Sequence, residues 1–479
     1  MDGTLYAVVL IAILATLLGV SLYRSFLVKT GADFIVAGRQ LTWPVLVFTL
    51  LSSWIGAGSL FAGAENAFKN GFAALWLPAG GWAGLVVIVL IAGRARRFAQ
   101  FTVPDLLEAR YDHYARLFGT LAIVIAYTSI VSYQFRAGGD ILHLIFPGVI
   151  GRQEGMYLIA VFVIFFTALA GMGSVAYMDL FIGLLVTVTA CVALPVIVAV
   201  AGGWAGLRAT LPENHFTVLG PFRWYQALNY FLPTMFLLLG NQAMYQKFFS
   251  AKTERDAKLS VVGWIVGTVV LETVIVALAV VGSGLYKDSV PREIIPVVAR
   301  QGLPEFLGAL LLGGVFAKVL STGNNYLFSP ASNLIHDVYH RFLNPRATEQ
   351  QLLFFSRFFV VLLGVVALVM AAFTESILRM AVYAYTVYGA GVTPVVLAAF
   401  FWKRANAAGA LASIVTGTVI SIGWNLIANQ EATGGFVAFT KEVDAVIPAL
   451  FFSLLALVAV SLATPAPPEA KWRTVMAAP

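Results

Sequence analysis

The 479-residue sequence predicts an all-α polytopic membrane protein with about thirteen transmembrane helices. Three observations carry that prediction. Hydrophobic residues make up 60% of the chain and charged residues 11%, with a mean hydropathy of +0.88; a soluble domain carries about 25% charged residues. Apolar runs of about 20 residues, the length that crosses a bilayer, recur from end to end. Finally, Ser52-Ser53-Trp54-Ile55-Gly56-Ala57-Gly58-Ser59 sets two glycines and three serines inside the second such run. Irregular backbone at that depth is tolerated only inside protein or along a polar cavity. Interrupted helices of this kind present carbonyls and half-helix ends to a solute and an ion in many secondary transporters. The plainer alternative is a Gly/Ser surface for close helix packing.

The runs fall at roughly 4–24, 44–67, 72–93, 114–146, 155–173, 175–202, 224–246, 260–285, 304–332, 351–373, 377–402, 407–428 and 445–463. The first follows Met1-Asp2-Gly3, which lacks a basic leader, and reads as a retained span. The fourth is long enough for a tilted or re-entrant end. Between spans three and four, Thr102-Val103-Pro104-Asp105-Leu106-Leu107-Glu108 reads as a short amphipathic helix with Thr102 as its cap and Pro104 in its first turn. Thr464-Pro465-Ala466-Pro467-Pro468 opens a tail, 464–479, that reads as disordered.

Lys and Arg cluster after spans one, three, seven, nine and eleven: Arg24, Lys29, Arg39, Arg94, Arg96, Arg97, Arg110, Lys247, Lys252, Arg255, Lys258, Arg341, Arg346, Lys403 and Arg404. The positive-inside rule then puts the N-terminus outside and the C-terminus in the cytoplasm, in a plasma (inner) membrane. The net charge of +7 is therefore a loop bias rather than a nucleic-acid signal. Cys191 is the single cysteine, which excludes a disulfide framework or thiolate metal site. There is no phosphate-binding loop and no dinucleotide fingerprint, so neither enzyme chemistry nor ATP-driven transport is indicated. The chain divides into 1–43, a first repeat 44–202, an external loop 203–222, a second repeat 223–402, two further helices 403–463 and the tail. Each repeat opens with an interrupted span, the second at Leu238-Leu239-Gly240-Asn241-Gln242-Ala243.

These pieces, with Asp33-Phe34-Ile35-Val36-Ala37-Gly38-Arg39, Ser321-Thr322 ahead of Asp337, and Tyr388-Gly389-Ala390-Gly391-Val392-Thr393-Pro394 before Lys403-Arg404, resemble the sodium:solute symporter family in both content and order. That family includes proline, pantothenate, sialic acid, monocarboxylate and sugar symporters. The resemblance implies two inverted five-helix repeats, with one helix before them and two after. It also implies cation-coupled symport of a small organic solute, most readily a carboxylate or amino acid, by a chain functional as a monomer. It places sodium on carbonyls of Ser53, Gly56 and Lys318 and hydroxyls of Ser321 and Thr322. It draws solute contacts from Trp54, Ser59, Arg136, Asn241, Gln242, Tyr385 and Tyr388. A packing role for the tyrosines, and hydroxyls bonded back to their own helix, are the alternatives.

Charges inside spans cost at least about 3 kcal/mol and mark a function or a pair. Lys318 departs from the family pattern of a small residue. It pairs with a carboxylate, preferably Asp179 on the ion path, or it replaces sodium and makes transport proton-coupled (H+), or it leaves the site uncoupled. Arg136 suits bidentate capture of a carboxylate, with an i,i+4 pair to Asp140 as the alternative. Glu272 reads first as a satisfied structural group and second as an ion or proton ligand. His336 and His340 read as a solvated helix end rather than a metal pair. A membrane-embedded solute sensor and a channel are the competing functions. A sensor is disfavoured by the short segment after the last span, and a channel by two interrupted helices around one site.

Overall fold

The computed structural model describes residues 4–25, 39–98, 102–169, 172–373, 376–430 and 434–476. Lys29 and the motif residues 33–38 lie outside the described residues. Helix accounts for 86% of the described residues. Among the described residues nine helices are long and apolar enough to cross a membrane, and Thr4–Val20 and Trp43–Trp54 are shorter apolar helices.

After α1 (Thr4–Ser25), the second span is three pieces: α2 (Trp43–Trp54), a π-helical turn (Gly58–Gly63) and α3 (Ala64–Asn70). Then follow α4 (Trp76–Phe98), α5 (Val103–Arg110), α6 (His113–Ile145), α7 (Arg152–Leu169), α8 (Met172–Val200) and the short α9 (Gly203–Thr210). The second interrupted span is α10 (Trp224–Gly240) and α11 (Gln242–Ser250). The chain continues with α12 (Glu254–Leu285), α13 (Glu305–Asn333, extended by π-helical residues to Leu343), α14 (Glu349–Ala372), α15 (Ile377–Gly391), α16 (Thr393–Phe401), α17 (Ala407–Ala428), α18 (Gly435–Glu442), α19 (Val446–Ala463) and α20 (Glu469–Met476).

Eight helices close a ring in the order α2, α8, α13, α6, α15, α10, α4, α12 and back to α2. The π-helical turn after α2 packs on α15 and α12, so the interruption lies within the ring. Outside it, α1 lies on α13 and α8, α7 and α14 cover α6, and α17 and α19 cover α15. Burial follows this plan. The most apolar stretch of α13 is 83% buried, whereas those of α14 and α17 are 22% and 28% buried. Side chains on the outer helices are apolar on their exposed faces, as at Phe354, Val361 and Val369, which suits lipid.

The long fourth span is one uninterrupted helix, α6, of 33 residues, about 50 Å at 1.5 Å per residue. It passes through the membrane and beyond rather than re-entering. The expected short helix is α5. Thr102 Oγ1 accepts from the Asp105 N–H at 3.1 Å and Asp105 Oδ2 accepts from the Thr102 N–H at 3.2 Å, a reciprocal cap. It is largely buried instead of lying on a surface. The tail also differs from expectation. α20 packs against α5 and α16, with Lys403 Nζ 4.7 Å from the Trp472 ring centre and Lys471 Nζ donating to Glu108 O at 3.3 Å.

At this basic face a charge network locks the ring. The Arg116 guanidinium, 6% exposed, bridges Asp105, Glu108 and Asp337, while Arg341 reaches Glu108 and His336 Nε2 lies 3.4 Å from Asp105 Oδ2. Burial pushes the Glu108 carboxyl up, but bonds from Arg116 and Arg341 outweigh it and hold the group below the usual carboxylate range. The solvated helix end expected at His336 and His340 is thus corrected in part: Asp337 beside them is fully buried. Asp105, His336 and Asp337 present ligand atoms within 4.8 Å of one another, yet the guanidinium already supplies their positive charge.

Removing one partner from a buried ion network costs about 3–5 kcal/mol because the others stay charged and unpaired. Arg116→Met therefore lowers thermal stability by that order, read as a fall in the unfolding midpoint of detergent-solubilised protein.

Candidate functional site

α2 stops at Trp54 because the ladder runs out of partners. The Ile55 N–H closes onto Leu51 O at 3.0 Å. The Ala57 N–H, whose ordinary partner is Ser53 O, turns to Gln134 Oε1 at 3.0 Å. Helical bonding resumes with Ser59 and Leu60 on Gly56 O. Ser52 O accepts instead from Thr322 Oγ1 of α13 at 3.3 Å. Glycine is required at this crossing. A Cβ on Gly56 would lie 2.5 Å from Thr322 Oγ1, and one on Gly58 would lie 2.2 Å from Tyr385 Oη.

The second interruption is satisfied differently. Asn241 caps α11, its Oδ1 accepting from the Met244 N–H at 3.3 Å and from Tyr127 Oη at 2.9 Å. Tyr388 Oη donates to Gly240 O at 2.6 Å and accepts from the Gln242 N–H at 3.0 Å. Tyr245 Oη donates to Leu239 O at 3.0 Å. Tyr127 and Tyr388 stack at 5.2 Å between ring centres. Tyr127 Oη also accepts from the Ala243 N–H at 3.3 Å, so three tyrosines take the backbone groups that lipid would leave bare.

Next to the first interruption is a cavity of about 30 Å³, room for about one water. Its wall includes Trp54, Gly56, Gly58, Ser59, Thr322 and Tyr385. Glu272 of α12 also faces it. Its Oε1 accepts from Trp54 Nε1 at 3.1 Å and Ser59 Oγ at 3.0 Å, and its Oε2 from Trp82 Nε1 at 2.8 Å. Tyr133, Gln134, Thr234 and Tyr326 add to the polar wall, and Leu77, Leu237, Ile275 and Val276 to the apolar one. Tyr133 and Tyr385 hydroxyls are 3.3 Å apart.

A second, wider cavity of about 710 Å³ lies at the face opposite the Arg116 network, bounded by Glu65, Lys69, Arg379, Asn425, Lys441 and Asp444. Burial pushes the Asp444 carboxyl up to about 6, against bonds from the Val446 N–H and Thr386 Oγ1.

Of the solute residues expected from sequence, Trp54, Ser59 and Tyr385 line the small cavity. Asn241, Gln242 and Tyr388 do not; they hold the second interruption, with Gln242 also accepting from the Val103 N–H and donating to Asn333 Oδ1 at 3.3 Å. Arg136 is absent from the described cavity lining too. Successive helical residues turn about 100°, so Gln134 facing the cavity sends residue 136 to the other side of α6. Arg136 and Asp140 form no pair either: Asp140 binds Arg152 and Arg292 at 2.9 and 2.8 Å. Gln134, Tyr133 and Trp82 were missed. Only the position of Tyr133-Gln134 beside Arg136 hinted at them.

On the other side of Thr322 is an ionic compartment. Asp179 accepts from Thr49 Oγ1 at 2.7 Å and from Ser321 Oγ. Lys247 Nζ donates to Asn325 Oδ1 at 3.2 Å. Lys318 Nζ is buried without a hydrogen-bond partner among the described residues, so the expected direct pair with Asp179 is not formed, although that carboxylate is the charge bearing on it.

The fold is that of known cation-coupled transporters. A Na+-coupled sialic acid symporter, solved in a substrate-bound outward-open state, superposes with a TM-score of 0.78 over 96% of this chain and 98% of that one, at 17% identity. Mhp1, a nucleobase-cation-symport-1 family transporter, gives 0.61 over 93% and 99%, at 11% identity. The family model of the sodium:solute symporters matches residues 34–417. The chain belongs to the sodium:solute symporter family. It is accordingly a transporter rather than an enzyme, coupling sodium to the symport of a small organic solute. It is 26% identical to the high-affinity proline transporter PutP of Bacillus subtilis, covering 91% of this chain and 94% of that protein. It is 26% identical to the sodium/pantothenate symporter of Escherichia coli, covering 93% and 94%.

The contact at Gly58 yields a paired prediction. Gly58→Ala abolishes sodium-stimulated uptake in proteoliposomes, because its Cβ meets the Tyr385 hydroxyl. Adding Tyr385→Phe leaves Cζ as the nearest ring atom, at 3.5 Å, and restores a measurable part of that uptake.

Proposed function

We propose that the protein imports a carboxylate or amino acid of small size by alternating access, with sodium and solute meeting where the first interruption faces α13. The single observation that carries this reading is the approach of Thr322 to the freed Ser52 carbonyl beside the closed cavity. Sodium is cargo here. Its ligands are the carbonyls of Ser53, Gly56 and Lys318 and the hydroxyls of Ser321 and Thr322, since a hard cation takes several oxygens. Asp179, tied to Ser321, supplies negative charge on the ion's route.

The wide cavity is the outer entrance, in a plasma membrane with the N-terminus outside and the C-terminus in the cytoplasm, in keeping with the Lys/Arg bias toward the opposite face. The central space must expand to admit a solute, so helices of the ring move as it loads. All these groups come from one chain, which supports a functional monomer.

Uptake of labelled L-proline and pantothenate into proteoliposomes under a sodium gradient tests the reading. Thr322→Val raises the sodium concentration for half-maximal uptake about tenfold, the scale of one hydrogen bond to a charged group. Lys318→Met lowers it several-fold by removing a like charge from the ion's surroundings. Uptake that follows an imposed pH gradient and ignores sodium would overturn the sodium site and assign the coupling cation to the Lys318 ammonium.

A further inference from the structure

We propose that the central cavity selects a zwitterion, taking its ammonium on Glu272 Oε2 and its carboxylate on Gln134 Nε2. The inference rests on reading that cavity as the solute site, and it decides between the carboxylate and amino-acid classes left open above.

Glu272 is 4% exposed and enters no ion pair among the described residues. Its three donors, Trp54, Ser59 and Trp82, are neutral groups. They fix the carboxylate's direction without balancing its charge. Oε1 carries two donors and Oε2 one, and a carboxylate oxygen accepts two, so Oε2 keeps an acceptor site. Buried charges are paired or coordinate a metal, and here the pairing is left to whatever enters. Among the described residues that line the cavity, Glu272 is the one carboxylate, and no lysine, arginine or histidine joins it. The rings of Trp54, Tyr133, Tyr326 and Tyr385 add π faces, which attract ammonium groups.

Gln134 supplies the complementary end. Its Oε1 is identified as oxygen because it accepts the Ala57 N–H. That bond turns the amide so that Nε2 is the remaining polar atom. Among the described residues Nε2 has no hydrogen-bond partner, and it is buried on a residue 1% exposed that lines the cavity. An unused donor and an unused, uncompensated acceptor therefore share one small space. A carboxylate lacking an amine would satisfy the donor and be repelled by Glu272.

The test uses the full-length protein in proteoliposomes and four probe sets: small L-amino acids including proline, their N-acetyl counterparts, the matching amines without a carboxylate such as pyrrolidine, and pantothenate. Sodium-stimulated uptake or competition is expected from the amino acids, with N-acetylation costing at least 30-fold. Glu272→Gln removes that discrimination and weakens amino-acid uptake by a similar factor, while Glu272→Asp retains part of it. Gln134→Glu keeps an oxygen for the Ala57 N–H but exchanges the donor for a charge. It weakens amino acids and strengthens pyrrolidine competition. Thermal unfolding of each variant confirms an intact fold.

Equal uptake of N-acetyl compounds or pantothenate under a sodium gradient would overturn the ammonium assignment and leave the transport reading standing. Amine-selective uptake indifferent to sodium would overturn the sodium reading and leave Glu272 in place. A Glu272→Gln variant with altered sodium activation and unaltered amine selectivity would move the carboxylate to the ion and overturn the proposal.

Discussion

The interaction on which the site depends is the hydrogen bond from the Ala57 N–H to Gln134 Oε1. In lipid no water is available to take a backbone donor released from a helix, and each one left bare costs several kcal/mol. Gln134 takes this donor from α6, across the ring. The interruption of α2 can therefore persist, and Ser53 O is released from its usual partner. The same residue then turns its amide nitrogen toward the cavity. One side chain both permits the irregular backbone and shapes what that backbone encloses.

The two interruptions solve the same problem with different chemistry. The first is completed by an amide and by small residues, Gly56 and Gly58, which let Thr322 and Tyr385 approach. The second is completed by phenol hydroxyls from Tyr127, Tyr245 and Tyr388, each wholly buried. Phenol groups are rigid and fill space, so the second interruption is sealed by protein. The first is left with a hollow beside it, and that hollow lies between Glu272 and α13.

Fold class and the position of both interruptions were legible in the sequence because glycine and polar residues stand out within apolar runs. Trp54, Ser59 and Tyr385, which line the cavity, were reached through the family resemblance and not through a local pattern. Asn241 and Gln242 sit at the expected interruption and Tyr388 inside its expected span, but they answer to partners between 85 and 148 residues away, and no local pattern records those. Arg136 drew attention as a charge in a span, while helical phase gave the cavity to Gln134. The role of Glu272 depends on two indoles from α2 and α4 converging on it, a matter of three-dimensional packing alone.

Before α2, Leu41 O accepts from the Lys252 N–H at 2.8 Å, and the Leu41 N–H donates to Ser250 O at 3.1 Å. This miniature clasp ties the entry to the first broken helix to the exit from α11. Main chain flanking the two interrupted spans is thereby joined directly on that face. Two short main-chain bonds thus fasten the two broken spans to each other at their basic-face ends, where no side chain need be preserved for the tie to hold.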